Sequence, residues 1–257
     1  MQFKFSPSLV ALALYCLDVT AHAATLVHDY SFNAGLTDSV GAVGGTLAGN
    51  ALVKDGELVL DGNHSYVEFD QPIIPTSGSY SLAFSLTRMA DQSGGYVEYL
   101  SQGNESAGLF FGSLPGNNQL RLGLTNNYNN SGITVVTNTG AYAPDLGVST
   151  AYALVVNKEA NTSSLFINGH LLETYDHTIG MDSTVGNTKL GAQYGSYGEY
   201  FAGKFDSFKV YQGALTTSEV AQLAAPVPEP ESYALMLAGM ASMALVRLAS
   251  SRKKDMP

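Results

Sequence analysis

Apolar and polar positions alternate along this chain in short runs rather than recurring every three or four residues. Tyr66-Val67-Glu68-Phe69, Tyr80-Ser81-Leu82-Ala83-Phe84-Ser85-Leu86 and Phe205-Asp206-Ser207-Phe208-Lys209-Val210-Tyr211 each put one apolar and one wetter face forward, the two-residue period of a half-buried strand. From residue 24 to 225 such β-branched and aromatic runs are cut by Gly, Asn, Asp or Ser about every eight to twelve positions, the spacing of a sandwich or barrel. Asn168-Gly169, inside Leu165-Phe166-Ile167-Asn168-Gly169-His170-Leu171-Leu172, supplies the two positive φ angles of a type I′ turn and predicts a hairpin. Helix is expected where Thr216 can cap and Glu219 can reciprocate three residues later, opening one or two turns through Leu223. Neither a second periodicity nor a fixed-period repeat supports another domain.

The ends break this pattern. Residues 1–23 carry Lys4, an apolar run from Leu9 to Leu17 and the small-residue close Ala21-His22-Ala23, the three parts of a secretory signal cleaved after Ala23. Cys16, the only cysteine, lies inside that run, so the mature chain is expected to hold no thiol, no disulfide and no cysteine metal site. At the other end, Ala224-Ala225-Pro226-Val227-Pro228-Glu229-Pro230-Glu231 reads as an extended linker, because proline enters neither a helix interior nor a sheet centre. No charge interrupts Tyr233 to Val246, and with Arg247 snorkelling the apolar stretch reaches about residue 249, near the lower limit for crossing a bilayer. Arg252, Lys253 and Lys254 then favour the cytoplasmic side.

Val227-Pro228-Glu229-Pro230, an apolar helix and a basic end together resemble the PEP-CTERM sorting signal. The resemblance implies recognition by an exosortase-type membrane enzyme, cleavage near the Pro-Glu-Pro, and delivery to the cell surface or exopolysaccharide matrix of a Gram-negative bacterium after transient anchoring in the inner membrane. Three segments follow: a signal at 1–23, a single domain at 24–225, and a sorting tail at 226–257 with its membrane helix at about 233–249.

Charge narrows the partners. Between Ala24 and Pro226 seven Lys or Arg stand against eighteen Asp or Glu. A surface this acidic repels phosphate backbones and anionic lipid heads, which disfavours nucleic acid and peripheral membrane binding.

Four stretches, in order, resemble the laminin-G-like, or concanavalin A-like lectin/glucanase, sandwich. They are Tyr30-Ser31-Phe32-Asn33 with the Gly-rich loop Asp38-Ser39-Val40-Gly41-Ala42-Val43-Gly44-Gly45-Thr46-Leu47; Leu58-Val59-Leu60-Asp61-Gly62 with Ser65 to Phe69; Tyr152-Ala153-Leu154-Val155-Val156 leading into the hairpin; and Phe201 to Tyr211 followed by Ala214 to Val220. The resemblance implies an all-β jelly roll of two antiparallel sheets with first and last strands adjacent.

Candidate chemistry is sparse. Glucanases of that superfamily place carboxylates at alternate positions of one strand; Glu68 and Asp70 have the spacing, but Pro72 stands where a third acid belongs. Glu98, between Tyr96 and Tyr99, reads as a lone acid at an exposed strand position. The mature histidines 28, 64, 170 and 177 form no zinc pattern, and no Gly-x-Ser-x-Gly elbow, P-loop or dinucleotide fingerprint is present. No catalytic set is therefore expected. Glycan binding has better material: Tyr194, Tyr197 and Tyr200 crowd a Gly-rich loop and Tyr128 lies among asparagines, so rings for sugar C–H faces sit beside amides for hydroxyls. In related sandwiches an acid on the first strand and one on the last hold a structural Ca2+; by position these would be Asp29 and Asp206. The expectation is an exported, non-catalytic surface or matrix protein that binds polysaccharide or provides bulk. A glycoside hydrolase or lyase, which needs two acids about 5 to 9.5 Å apart, and a protein-binding adhesion module, which needs an exposed apolar patch, are the alternatives.

Overall fold

The computed structural model describes residues 23–104, 108–116, 119–125, 133–136, 143, 145–176 and 186–225. The chain runs through β1 (Thr25–Tyr30), β2 (Gly45–Ala48), β3 (Leu52–Lys54), β4 (Glu57–Asp61), β5 (Tyr66–Phe69), β6 (Tyr80–Arg88), β7 (Val97–Gly103) and β8 (Gly108–Ser113). It continues through β9 (Leu120–Thr125), β10 (Ile133–Val136), β11 (Ser149–Asn157), β12 (Thr162–Ile167), β13 (His170–Asp176), β14 (Thr188–Leu190), β15 (Ala202–Gln212) and the helix α1 (Thr217–Ala224). All the strand pairs are antiparallel. They form an eight-stranded sheet, β13-β12-β11-β6-β15-β4-β3 with β1 also on β15, and a seven-stranded sheet, β10-β9-β8-β7-β14-β5-β2. First and last strands are adjacent, as the family resemblance implied.

Each strand's alternation settles which side chains enter the core. Val67 and Phe69 of β5 point in, while Tyr66 and Glu68 remain half-buried on the outer face. Between the sheets Tyr30, Phe69, Phe84, Phe111, Phe201, Phe205 and Phe208 are buried, with ring centroids 4.7 Å apart for Tyr30 and Phe69 and 5.7 Å for Phe84 and Phe111. Such offset and edge-on ring pairs add roughly 0.5–1.5 kcal/mol each beyond the area they bury.

Three local devices match the sequence. Asn168 and Gly169 adopt φ of 50° and 78° between β12 and β13, the predicted type I′ turn. Thr216 caps α1 in a reciprocal capping box with Glu219. The Gly-rich loop after β1 folds back over that strand because the buried carboxylate of Asp38 accepts from the N–H groups of Asp29 (3.0 Å), Val40 (3.1 Å) and Val43 (3.3 Å) and shares a 2.7 Å hydrogen bond with His28. Burial pushes Asp38 up, but these donors outweigh it and hold the carboxyl well below the usual range.

The outer face of the eight-stranded sheet is covered by α1. Val220 and Leu215 pack on Ala83, Ala153, Val155, Phe166 and Tyr211 to make a second, smaller apolar core. The outer face of the seven-stranded sheet is covered differently.

Candidate functional site

On the seven-stranded sheet the outward positions of β5 meet those of β14. Lys189 is the register partner of Glu68 on one side and Ser101 on the other. Its ammonium lies 3.9 Å from the Glu68 carboxylate and 4.9 Å over the Tyr66 ring, a position that satisfies both the charge and the ring quadrupole. The Asn187 amide donates to Glu68 at 3.3 Å. Tyr200 arrives from the segment after β14: its ring stacks on Tyr66 at 6.1 Å and 20°, lies 4.6 Å from the His64 ring, and its hydroxyl shares a 2.9 Å hydrogen bond with His64 Nδ1. His64 is exposed, and Tyr66 and Tyr200 are half-buried. The result is a shallow aromatic patch flanked by an ammonium, a carboxylate, an amide and an imidazole.

The loop that delivers Tyr200, residues 191–201, lies across the middle of the same face. Gly191 N–H donates to Tyr99 O at 2.8 Å, Glu98 N–H to Glu199 O at 2.8 Å, and Ser101 Oγ to Ala192 O at 2.8 Å. Tyr194 is buried beneath the loop, where Gly108 leaves room for it; a Cβ there would lie 2.7 Å from the tyrosine ring.

Beneath the loop sits a set of charges drawn together from two strands and the loop itself. The register aligns Glu98 with Gly112 and Gly112 with Arg121, so the two charged side chains share a row across β7, β8 and β9. One guanidinium nitrogen, Arg121 Nη2, donates to both Glu98 Oε1 and Glu199 Oε2. The guanidinium is sandwiched by rings, with its carbon 4.3 Å from the Tyr96 centroid and 4.8 Å from that of Phe110. With its amide oriented to donate, Gln193 reaches the two Glu199 oxygens at 3.2 and 2.6 Å. Glu98 is fully buried, and its second oxygen has no hydrogen-bond partner. Burial pushes this carboxyl well above the usual range; the Arg121 charge pulls it down and the Glu199 charge pushes it up again. Glu98 is thus a buried strand acid, not the exposed one its place between two tyrosines suggested.

The predicted site residues separate accordingly. Tyr200 lies in the patch, and Tyr197 is 47% exposed at the loop tip. Tyr194 is buried. Tyr128, the sorting motif Val227, Pro228, Glu229 and Pro230, Ala21 and the membrane helix lie outside the described residues, whereas Ala23 is exposed. Asp29 and Asp206, the acids expected to share Ca2+, lie on the adjacent strands β1 and β15. Asp29 faces the Lys209 ammonium at 3.8 Å, while Asp206, three positions along β15 from that lysine, accepts from Ser149 at 2.7 Å and lies beside Lys204. Asp29 Oδ1 is buried without a hydrogen-bond partner, and Asp206 also has the Glu57 carboxyl beside it. No group of three or more His, Cys, Asp or Glu that could hold a metal occurs among the described residues. Glu68 is engaged by Lys189 and Asn187, and Asp70 is exposed. The residues not singled out from sequence are His64, Tyr66, Lys189, Arg121 and Glu199, and Glu98 was singled out but placed on the surface; for Tyr66 the signal was available, in the outward phase of β5.

Comparison with known proteins fits this architecture. A family model described as the concanavalin A-like lectin/glucanases superfamily, of laminin-G type, matches residues 61–221. Domain 4 of AbnA, a GH43 extracellular arabinanase from Geobacillus stearothermophilus solved with arabinotriose, superposes with a TM-score of 0.63 at 22% identity, over 79% of this chain and all of that one. The botulinum neurotoxin serotype D binding domain gives a TM-score of 0.63 at 10% identity over 78% of this chain, which spans 51% of the neurotoxin domain. A botulinum neurotoxin type C structure, described as depending on two ganglioside molecules for cell entry, gives 0.59 at 13% identity, over 78% of this chain and 50% of that one. At these identities the structural likeness speaks for the fold alone. No curated protein sequence matches the chain.

Proposed function

The chain belongs to the concanavalin A-like lectin/glucanases superfamily, and on that footing we propose that it binds glycan at the outer face of its seven-stranded sheet, outside the cell and without catalysis. One observation carries the reading. His64, Tyr66 and Tyr200 form a ring platform bordered by Lys189, Glu68 and Asn187, and sugars match such a surface by laying C–H faces on rings and hydroxyls on the polar border. Tyr197, within the 191–201 loop, and Tyr96, whose ring lies against Arg121, are each 47% exposed and add to the rings on offer. The arabinotriose complex of the arabinanase domain and the gangliosides named for the neurotoxin are consistent with carbohydrate as the ligand class.

Hydrolysis is the weaker reading. Glu98 and Glu199 are brought together, as a glycosidase would require, but both are held by one arginine nitrogen and Glu98 has no exposed surface. Export, processing by an exosortase-type enzyme and retention in a surface layer or polysaccharide matrix complete the proposal; they rest on residues 1–23 and on the Val227-Pro228-Glu229-Pro230 tail. A glycan array with the purified protein is the test. We expect binding to at least one polysaccharide, weakened about tenfold by Tyr66→Ala and again by Tyr200→Ala, the worth of one stacked ring. Binding untouched by the double substitution would move the site elsewhere, and an array blank throughout would leave a structural role.

A further inference from the structure

Resting on the reading that this face binds glycan, we propose that Glu98, Arg121 and Glu199 form a proton-operated latch that holds the 191–201 loop, and with it Tyr200, on the seven-stranded sheet. The loop is not secured by apolar burial alone. Among the described residues its one ionic attachment to the sheet is Glu199 on Arg121, and that arginine nitrogen is shared with Glu98 from β7. The backbone repeats the link, since Glu98 N–H donates to Glu199 O at 2.8 Å. Whatever alters the charge at Glu98 therefore acts directly on the residue that pins the loop, and Tyr200 is the next residue along the chain.

Electrostatics gives the direction. One guanidinium balances one carboxylate; with Glu98 neutral the trio has no net charge, and with Glu98 ionised it carries an uncompensated negative charge in a buried place. The other groups facing Glu98 cannot supply a cation. On its own strand's approach stands Tyr96, from β8 come Phe110 and the backbone of Gly112, from the loop come Gln193 and Glu199, and the nearest ammonium on β14, Lys189, is committed to Glu68 at 3.9 Å. A residue at 112 cannot fill the gap either: a Cβ there would lie 2.5 Å from Glu98 Oε2. Relief comes from releasing Glu199, the partly exposed member, whose side chain is 19% accessible.

The sign follows. Burial raises Glu98 above its unfolded value, so the closed loop gains from the bound proton at low pH and loses that gain as pH rises through the raised titration. Between the ordinary carboxylate titration of the open loop and the raised one of the closed loop, the open population grows by up to about tenfold per pH unit, and it levels off above the raised point. The glycan platform is therefore held most firmly in acid and loosens as pH rises toward the raised titration of Glu98.

Hydrogen exchange on the full-length protein, with amide rates at 191–201 divided by their intrinsic pH-dependent values, reads the latch without any glycan. The corrected rates should climb with pH in the wild-type protein and stay flat in Glu98→Gln, which mimics the neutral acid. Glu199→Gln, at a partly exposed position, provides a second variant: it leaves Arg121 free for an ionised Glu98 and should also flatten the profile. Corrected rates that do not change with pH in the wild type, or that climb equally in both variants, overturn the latch. Glycan titrations at the same pH values keep the two ideas apart. Affinity that falls with pH only in the wild type supports both, whereas a pH-dependent loop on a protein that binds no glycan leaves the latch standing and removes the function it was meant to serve.

Discussion

The two sheets solve the same problem in opposite ways. Each has an outer face that must be partly covered. On the eight-stranded sheet the cover is α1, which lays Val220 and Leu215 on a floor of Ala83, Ala153, Val155 and Phe166. On the seven-stranded sheet the cover is an irregular loop that puts Glu199 on Arg121 and buries Glu98 with an unpartnered oxygen. The first cover is held by non-directional burial and has no charged group at its centre. The second is held by directed, titratable contacts that are costly to assemble. Stability alone would favour the first solution on both sides. The charge on one face, beside the exposed rings of Tyr96 and Tyr197, is one reason the glycan site is proposed there.

The largest effect should come from cutting the charged cover at its centre. Arg121→Ala leaves Glu98 and Glu199 facing each other without a cation and removes the guanidinium from between two rings. Truncating one partner of a buried ion pair costs about 3–5 kcal/mol, a fall in melting temperature on the order of 10 °C, and the deficit should grow as pH rises. A loss no greater than that of an exposed lysine would show the trio to be ornamental. On the apolar cover, Val220→Ala removes buried methyls and should cost about 2 kcal/mol. Thermal melts at about pH 6 and 9 should give the same difference for this variant, because only aliphatic burial is lost. A strongly pH-dependent deficit there would erase the contrast between the faces.

Much of the architecture was legible before any coordinates. A two-residue period assigns strands, Asn168-Gly169 fixes a turn, and Thr216 with Glu219 announces a helix start, because each of these is a local rule. The placement of β1 beside β15 was not local and came only from the family's ordered fragments. The site was less readable for the same reason. Glu98 lies 23 residues from Arg121 and 78 separate Arg121 from Glu199, so their meeting depends on a register spanning three strands and on a loop crossing them. Nor does a tyrosine reveal whether it is buried. Tyr194 and Tyr197 stand in the same Gly-rich loop, yet only the first meets a glycine on the strand below that admits its ring.

The smallest expected effect sharpens the comparison most. In the capping box, the Glu219 carboxylate accepts from Thr216 N–H at 2.7 Å and from its hydroxyl at 2.8 Å, while Glu219 N–H donates back to Thr216 Oγ1 at 3.2 Å. Those bonds from Thr216 lower the Glu219 carboxyl below its usual range. Thr216→Ala should cost about 1 kcal/mol, or about 2–4 °C in melting temperature. The sign of its pH dependence is set by a depressed carboxyl: the contribution is present above the unfolded value and is lost as pH falls through the folded one. The Thr216→Ala deficit should therefore shrink in acid, where the wild-type protein has already lost the carboxylate half of the box. Glu98 runs the other way, because its carboxyl is raised and its cover loosens as pH rises. Melting curves of the wild type, Thr216→Ala and Glu98→Gln across the same pH range should show the helical cover weakening toward acid and the charged cover toward base. Parallel profiles for the two variants would mean that both faces answer to one shared charge, and that the division of labour between them is wrong.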